Sequence, residues 1–442
     1  MSPSFLIVFL IICINHSLVI GEDPLQLKLV AIVHRHGDRA PLNFLPGDPY
    51  SDDIFWPDGK SQLLASGKDR LYQLGESLRL YYDNFLTHNP REVRARSSDA
   101  DRCIESAEML FHGLYKAKGR WIYNSKTDYL PIPIHTTPTM YDRMLAEGVY
   151  CPVLNKETQA VFERPESKSF LTKYSTTLAV LTQNLGLKFN DLGLVFGIFD
   201  AWMIEKSQNY KLPSWMTESI WNDLIEMVNL YSTIQNDSPI IHRLRAGNFL
   251  ADLKKYFIQS TEPSNGKQPV KLITYSTHDT MLGSFMSTLK IFNKIRVPYG
   301  AALLIELLAS PDNKQNYVQI KYWNDTHVNE QHKLTLPFCE SGQLCKLDQF
   351  LDYIDQFIPT DWESECSLNN TESGPSAEDN KRFDDQENDK GWEWVGIVAA
   401  TCLSIITVII VMLFASFAYD LYKKSYRVKR SDREKQEYDR IL

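Results

Sequence analysis

A buried strand that runs directly into a polar turn constrains this fold more than any other stretch. Residues 29–33 read Leu-Val-Ala-Ile-Val, and such an uninterrupted apolar run is typical of a strand buried on both faces of a parallel sheet. Residues 34–41 follow as His-Arg-His-Gly-Asp-Arg-Ala-Pro. Gly37 would let the backbone approach a ligand closely, and Pro41 cannot continue the strand. The sequence therefore predicts an α/β fold with ligand-binding side chains at the carboxyl edge of its sheet.

Two more candidate strands also lead into polar side chains. Residues 92–95 (Glu-Val-Arg-Ala) precede Arg96 and a predicted helix. Residues 270–276 (Val-Lys-Leu-Ile-Thr-Tyr-Ser) lead to His278 and Asp279. Because parallel strands end at the same edge of a sheet, we expect the three clusters to form one site. An arginine before the amino end of a helix is well placed to bind an anion.

These clusters resemble the motifs of a known family. Residues 35–41 are similar to the signature of the histidine acid phosphatases (branch 2 of the histidine phosphatases), and the match is closest to the animal prostatic and lysosomal type. The resemblance extends over about residues 25–366, so it does not depend on a single motif. The further matching segments are residues 56–59, 74–76, 96–102, 131–135, 212–215 and 276–280.

The predicted fold class is α/β, with a central, mostly parallel sheet flanked by helices. The resemblance implies a sheet like that of the phosphoglycerate mutases. Helical spacing recurs across residues 140–262, where buried-strand runs are few, so this segment is predicted to be a mostly helical inserted cap. The catalytic domain then consists of residues 22–139 and 263–366. A chain of 442 residues is long enough for one large domain with such an insertion.

The resemblance implies hydrolysis of phosphate monoesters, and the residue types fit that chemistry. His36 is the proposed nucleophile, which would form a phosphohistidine, and Asp279 is the proposed acid that protonates the leaving oxygen. Most of the remaining stabilisation must come from fixed positive charge on the phosphate oxygens. The predicted phosphate-binding residues are Arg35, Arg39, Arg96 and His278. No cofactor is predicted, and the sequence has no metal-ligand spacing.

The protonation states of the two reacting groups must differ. His36 must be neutral to act as a nucleophile, and our hypothesis is that the neighbouring guanidiniums disfavour its protonated form even in acid. These neighbouring guanidiniums belong to Arg35, Arg39 and Arg96. Asp279 must carry a proton, which favours acidic pH.

Arg79 has two interpretations. It lies one position past Leu78, beside the apolar face of a predicted helix that Pro90 ends. The resemblance makes it a supporting arginine near the pocket. A solvated arginine on the helix surface fits the same pattern, so the sequence leaves both interpretations open.

The chain has an odd number of cysteines between its predicted signal peptide (residues 1–21) and its predicted membrane span (residues 395–418), which is the part expected to be exported. They are Cys103, Cys151, Cys339, Cys345 and Cys366, and in an oxidising compartment one of them must stay unpaired. The resemblance pairs Cys151 with Cys366 and Cys339 with Cys345. Cys103 is then a buried free thiol near the pocket.

The ends of the chain predict a type I single-pass membrane protein. Residues 1–21 are typical of a signal peptide, and residues 395–418 form an uncharged apolar run long enough to span a bilayer. Residues 367–391 are predicted to be a polar stalk. Residues 419–442 are predicted to be cytoplasmic because lysines and arginines follow the span. The sequons predicted to carry glycans are Asn236, Asn324 and Asn369.

The net charge limits the kinds of partner, and the pattern at the carboxyl terminus indicates the location. A net charge of -8 and a pI near 5.7 argue against nucleic acid as a partner. Tyr438 and Ile441 fit a signal that routes membrane proteins to endosomes and lysosomes, and the plasma membrane is the alternative location. The expected partners are small phosphomonoesters. The resemblance also implies a homodimer, which is frequent among the acid phosphatases that this chain resembles, whereas nothing in the sequence itself indicates one.

Two other functions are alternatives to a broad acid phosphatase. One is a narrower phosphatase acting on inositol phosphates, nucleotides or lysophospholipids. An inositol phosphate enzyme would need extra lysines and arginines around its mouth, whereas the region after Pro41 is acidic and apolar. The other is an inactive ectodomain that binds phospholigands, and the retention of His36, His278 and Asp279 argues against it.

Overall fold

The computed structural model describes residues 25–45, 47–262, 268–325 and 330–368. Contacts group the chain up to Ser367 into one unit, and a second unit begins at Leu368. The predicted signal peptide, membrane span and cytoplasmic tail lie outside the described residues, as does the predicted stalk from residue 369 onward. Within the described ranges, no helix has the length and apolar character that a membrane crossing requires.

A single sheet forms the centre of the described part. Its strands are β1 (Gln26–Arg35), β2 (Val93–Ser97), β3 (Ile134–His135), β4 (Leu272–Thr277), β5 (Ala302–Ala309), β6 (Asn316–Trp323), β7 (His332–Lys333) and β8 (Cys345–Lys346). Their order across the sheet is β3-β2-β4-β1-β5-β6-β7, and β8 pairs with β6.

The sheet is mixed, so the prediction of a mostly parallel sheet is wrong for one half. Strands β1 to β4 pair in parallel, whereas β5 to β8 join the sheet antiparallel, starting with the pairing of β5 to β1. Only residues 310–315 link β5 to β6. A link of that length forms a hairpin and is too short for the crossover that parallel strands need.

The central strand β1 is buried on both faces, which confirms the prediction from its apolar run. Leu29, Ala31 and Val33 belong to the core on one side of the sheet. Val30 and Ile32 belong to the core on the other side. This alternation follows from the two-residue repeat of a strand.

Helices cover both faces of the sheet. In chain order the described α-helices are α1 (Ala65–Tyr81), α2 (Asp101–Leu114), α3 (Pro152–Glu163), α4 (Pro165–Lys168), α5 (Phe170–Lys173), α6 (Ser175–Leu185), α7 (Leu192–Ser207), α8 (Glu218–Ile234), α9 (Pro239–Ile241), α10 (Gly247–Thr261), α11 (Asp279–Thr288), α12 (Leu347–Asp355) and α13 (Trp362–Cys366). Helices α1 and α2 pack on the face that carries Val30 and Ile32. Helices α10, α11 and α12 pack on the opposite face.

Helix α3 and helices α5 to α9 build a second core. The segment 140–262 contains no strand, and all of its residues are described. Its last helix, α10, packs on the sheet instead of in the second core. The helical core therefore ends before α10, and α13 returns to it with Trp362 and Cys366.

Both disulfides that the resemblance implied are present. Cys151 is bonded to Cys366, which joins the start of α3 to α13. Cys339 is bonded to Cys345, the first residue of β8. Cys103 is a buried free thiol, and burial raises its pKa to about 12.

Candidate active site

The candidate site lies where the neighbouring strands β1 and β4 end. Arg35 is the last residue of β1, and His36 follows it. His278 and Asp279 directly follow β4 and open helix α11. The backbone N–H of His36 donates to the carbonyl of Thr277 over 2.9 Å. This bond fixes the two strand ends against each other, so the two sequence clusters meet as predicted.

Gly37 is required for the packing of its turn against α1, and the close approach of its backbone to a ligand stays a prediction. A Cβ at Gly37 would lie 2.5 Å from the carbonyl oxygen of Gly67. One at Gly67 would lie 2.2 Å from the carbonyl oxygen of Asp38. The turn after β1 and the first turn of α1 therefore touch backbone to backbone.

His36 is buried and oriented by its own turn. It is 2% exposed, and its Nδ1 lies 2.8 Å from the carbonyl oxygen of Gly37. Because a carbonyl only accepts, Nδ1 carries the proton and Nε2 keeps a lone pair in the neutral ring. Burial lowers the pKa of His36 well below its usual value, and Arg35, Arg102 and other nearby cations lower it further. The imidazole is therefore held in the state that a nucleophile needs.

Arg35 and Arg39 lie on either side of this imidazole in the sequence, and both are buried. Arg35 donates from Nη1 to the carbonyl of Val297 over 2.7 Å, and its guanidinium lies 3.9 Å from the ring centroid of Tyr299. Arg39 donates from Nη2 to Asp200 Oδ2 over 3.0 Å. Fixed contacts of this kind preorganise both guanidiniums.

His278 faces His36 across the site. The centroids of the two rings are 5.5 Å apart, with an edge-on geometry. Nε2 of His278 lies 3.1 Å from Oγ of Ser98. Burial lowers the pKa of His278, while the nearby Glu147 opposes this effect. The ring is thus a hydrogen-bonding group beside the nucleophile, and its burial favours the neutral form.

Arg102 is the third arginine of the site, and the sequence analysis missed it in favour of Arg96. Arg102 lies in the first turn of α2, with Nη2 3.5 Å from Nδ1 of His278. It is also one of the cations that lower the pKa of His36. Its place in the first turn of a helix that follows a strand was the signal available in the sequence.

The structure does not bring Arg96 to this cluster. Side chains alternate along β2, and the neighbouring Ala95 belongs to the core under α2. Arg96 therefore points to the opposite face, where Nη2 donates to Oγ1 of Thr137 over 3.2 Å. It lines a separate cavity of about 440 Å³ together with Asp252 and Lys255 of α10.

Arg79 is not part of the cluster either. It lies in the last turn of α1 and donates to the carbonyls of Leu86 over 2.6 Å and Thr87 over 3.0 Å. It also forms an ion pair with Asp83. Its side chain is only 14% exposed, so it is not the solvated arginine of the second interpretation. It stabilises the loop that leaves α1.

Asp279 lies between two guanidiniums. Its Oδ2 is 2.9 Å from Nη2 of Arg35 and 2.8 Å from Nε of Arg296. Burial alone would raise the pKa of Asp279, but Arg35 and Arg296 outweigh this effect and hold it below the usual range. Arg296, in the loop before β5, and its second partner Asp200 in α7 belong to no sequence motif, so the sequence analysis missed both.

The predicted glycosylation sites have different surroundings. Asn236 is 2% exposed, and its amide donates to the carbonyl of Ser232 and accepts from Arg245. A glycan has no room on this nitrogen, so the prediction is wrong at Asn236. Asn324 is half-buried and stays a prediction. Asn369 lies outside the described residues.

Comparison with known proteins gives a family. The chain matches the model of the histidine phosphatase superfamily (branch 2) over residues 26–323. Prostatic acid phosphatase of Bos taurus is 32% identical over 359 residues, which cover 79% of this chain and 90% of the relative. Lysosomal acid phosphatase of Xenopus laevis is 29% identical over 371 residues, which cover 82% and 84%.

Solved structures share the fold. The phytase from Citrobacter braakii matches with a TM-score of 0.60 at 19% identity, covering 78% of this chain and 100% of that one. At this identity the likeness shows the fold alone. The family model, in contrast, matches more than half of the chain, and the bovine relative exceeds 30% identity over most of its length. This chain therefore belongs to the histidine phosphatase superfamily, branch 2.

Proposed function

We propose that this protein is an acid phosphatase that hydrolyses phosphate monoesters through a phosphohistidine on His36. The observation that carries the proposal is the state of that imidazole. It is buried and neutral, and its Nδ1 is bound to the carbonyl of Gly37, so that Nε2 is free to attack. The family assignment and relatives named acid phosphatases support the same reaction.

The positive charge around His36 supports phosphoryl transfer. Phosphate monoesters hydrolyse so slowly in water that the site must lower the barrier by more than about 20 kcal/mol. General acid catalysis supplies a factor of about 10² to 10⁴. The larger part is expected from the cations on the phosphate oxygens, with His278 as a further donor. The cations proposed for this role are Arg35, Arg39 and Arg102.

The reaction has two steps. In the first, Nε2 of His36 bonds to phosphorus while the ester P–O bond breaks, and the carboxyl group of Asp279 gives its proton to the departing oxygen. In the second, a water oxygen bonds to phosphorus while the N–P bond breaks, and a proton of that water passes to Asp279. The products are the alcohol and inorganic phosphate.

Asp279 needs a proton for the first step, yet two guanidiniums stabilise its carboxylate in the free protein. A phosphate dianion competes with Asp279 for Arg35, so substrate removes part of that stabilisation. Low pH also favours the protonated form of the Asp279 carboxyl group. We therefore expect activity to rise as the pH falls into the acidic range.

The test compares the purified protein with its His36→Ala variant on nitrophenyl phosphate at pH 5. We expect the substitution to lower kcat on the order of 10⁴-fold or more, because it removes the nucleophile. A reaction quenched in alkali should yield a His36 peptide carrying one phosphate by mass spectrometry. Turnover by the variant near the wild-type rate would contradict the proposal, and binding without turnover by the wild type would favour an inactive receptor.

We also propose that the protein is exported as a type I single-pass membrane protein of lysosomes, endosomes or the plasma membrane, with its catalytic domain lumenal or extracellular. Relatives named lysosomal acid phosphatases support the lysosomal choice. The two disulfides fit an oxidising compartment. A homodimer stays a prediction from the resemblance.

A further inference from the structure

Five charged side chains of alternating sign form a row of consecutive ion pairs through the site. Arg296 lies at its middle, with Nε 2.8 Å from Oδ2 of Asp279 and Nη2 2.9 Å from Oδ1 of Asp200. Each carboxylate has a second arginine partner. Arg35 binds Asp279 over 2.9 Å, and Arg39 binds Asp200 over 3.0 Å.

The arginines at the two ends of this row would also have to bind the phosphate, and this step rests on the proposed function. Arg35 and Arg39 are proposed phosphate ligands, so a bound phosphate dianion draws them away from the carboxylates. Arg296 contacts both carboxylates, and its guanidinium lies 4.4 Å from the ring centroid of Phe196. Its side chain is 9% exposed. When substrate binds, Arg296 is the cation that stays with Asp279.

We propose that Arg296 is a positioning residue that favours esters whose alcohol departs readily, because its ion pair with the Asp279 carboxylate weakens that group as a proton donor. A nitrophenolate leaves with little proton transfer, whereas an alkoxide must be protonated as it departs. The substrates favoured by the wild-type site are therefore esters of acidic hydroxyls, such as phenols, over esters of simple alcohols.

Other charged or titratable groups face Asp279 from the surrounding elements. Among the described residues, Arg35 and Arg296 are the two that bind its carboxylate as ion pairs, and Arg35 is shared with the phosphate. The groups that influence Asp279 without such a bond are Arg39 after β1, Tyr231 in α8 and His278 before α11. Asp200 in α7 contacts Arg296, and the ring of Tyr299 before β5 contacts Arg35. The substitution to test is therefore at Arg296.

The experiment measures kcat/KM for glycerol 2-phosphate and for nitrophenyl phosphate with the wild type, Arg296→Gln and Arg296→Lys. For Arg296→Gln we expect the ratio of glycerol phosphate to nitrophenyl phosphate to rise on the order of tenfold, because an adjacent opposite charge shifts a carboxyl pKa by about one to three units. The basic limb of the pH profile for glycerol phosphate should move to higher pH. Arg296→Lys keeps the charge and should keep the ratio near that of the wild type. An unchanged or lower ratio in Arg296→Gln would overturn the inference.

His36→Ala, assayed on both substrates, separates this inference from the proposed function. If His36→Ala is inactive while Arg296→Gln changes both substrates by the same factor, the inference fails and the phosphatase assignment stands. If His36→Ala stays active, the assignment itself fails. Thermal unfolding reports whether Arg296→Gln is folded. If it is not, the double variant Arg296→Met with Asp200→Asn removes the cation together with one of the two carboxylates that it binds, and the same rise in the ratio is expected.

Discussion

Two arginines close in the sequence have different surroundings. Arg102 contacts His278 from the first turn of α2, and Arg96 contacts Thr137 on the opposite face of the sheet. We expect Arg102→Ala to lower kcat/KM for nitrophenyl phosphate by about 10²- to 10³-fold, because it removes one cation from the proposed phosphate site. Arg96→Ala is the matched control, since it removes the same side chain from the neighbouring cavity, and it should stay near the wild-type value. Equal losses in the two variants would contradict this assignment.

Site residues at strand ends were predictable, whereas residues that arrive from other elements were not. Arg35 and His36 follow an apolar run whose burial is visible in the sequence. Arg296 lies in a loop and Asp200 in the middle of a helix, so only tertiary packing brings them beside Asp279. The preference for Arg96 failed for a local reason, because β2 continues through it and strand alternation turns its side chain away.

At the scale of elements, the loop after β1 and helix α7 each contribute one member of a pair of carboxyl groups, Asp48 and Glu205. Glu205 in α7 is buried, and burial, together with the charge of Asp48 and a hydrogen bond to it, raises the pKa of Glu205 to about 8. The rings of Tyr50 and Tyr210 stack beside this pair, with centroids 4.6 Å apart. Because the folded-state pKa lies above the ordinary 4.5, this stabilisation is complete in acid and is lost as the pH rises toward 8.

Glu205→Gln should remove that pH dependence, because the amide donates a hydrogen bond at every pH. We expect the free energy of unfolding to match the wild type at pH 5 and to exceed it by about 2 kcal/mol at pH 7.5. Urea unfolding followed by tryptophan fluorescence at both pH values measures this difference. A variant that weakens with rising pH as much as the wild type would exclude a protonated Glu205 as the cause.

The direction of the strands was harder to predict than their positions. Apolar runs located β1 and β4, but burial alone carries no information on whether neighbouring strands run parallel. The turn between β5 and β6 does indicate the direction of these two strands. Residues 310–313 read Ser-Pro-Asp-Asn, which is turn chemistry for a hairpin and therefore for an antiparallel pair.

At the scale of the whole molecule, one buried imidazole works against stability in acid. His34 in β1 is fully buried, with Nδ1 3.2 Å from the carbonyl oxygen of Arg35. Burial lowers its pKa to about 4 from the ordinary 6.5. The unfolded chain therefore binds the proton first as the pH falls. Stability is lost progressively between about pH 6.5 and pH 4, by roughly 3 kcal/mol when complete.

His34→Phe fills the same space without a titrating group. We expect this variant to lose about 2 kcal/mol less of its free energy of unfolding than the wild type does between pH 7 and pH 4.5. Guanidinium unfolding at the two pH values gives the comparison. Any packing cost of the phenyl ring is present at both pH values, so it cancels in the difference between them. Parallel losses in the two proteins would show that His34 does not set the acid limit.

The bond between Cys151 and Cys366 spans 215 positions of the chain. A protease that cuts once in any loop between these two cysteines leaves both fragments joined through sulfur. Such a nicked molecule runs as a single band on a gel until a reductant is added. In a compartment rich in proteases, the molecule can therefore be cleaved in its helical part without falling into two pieces.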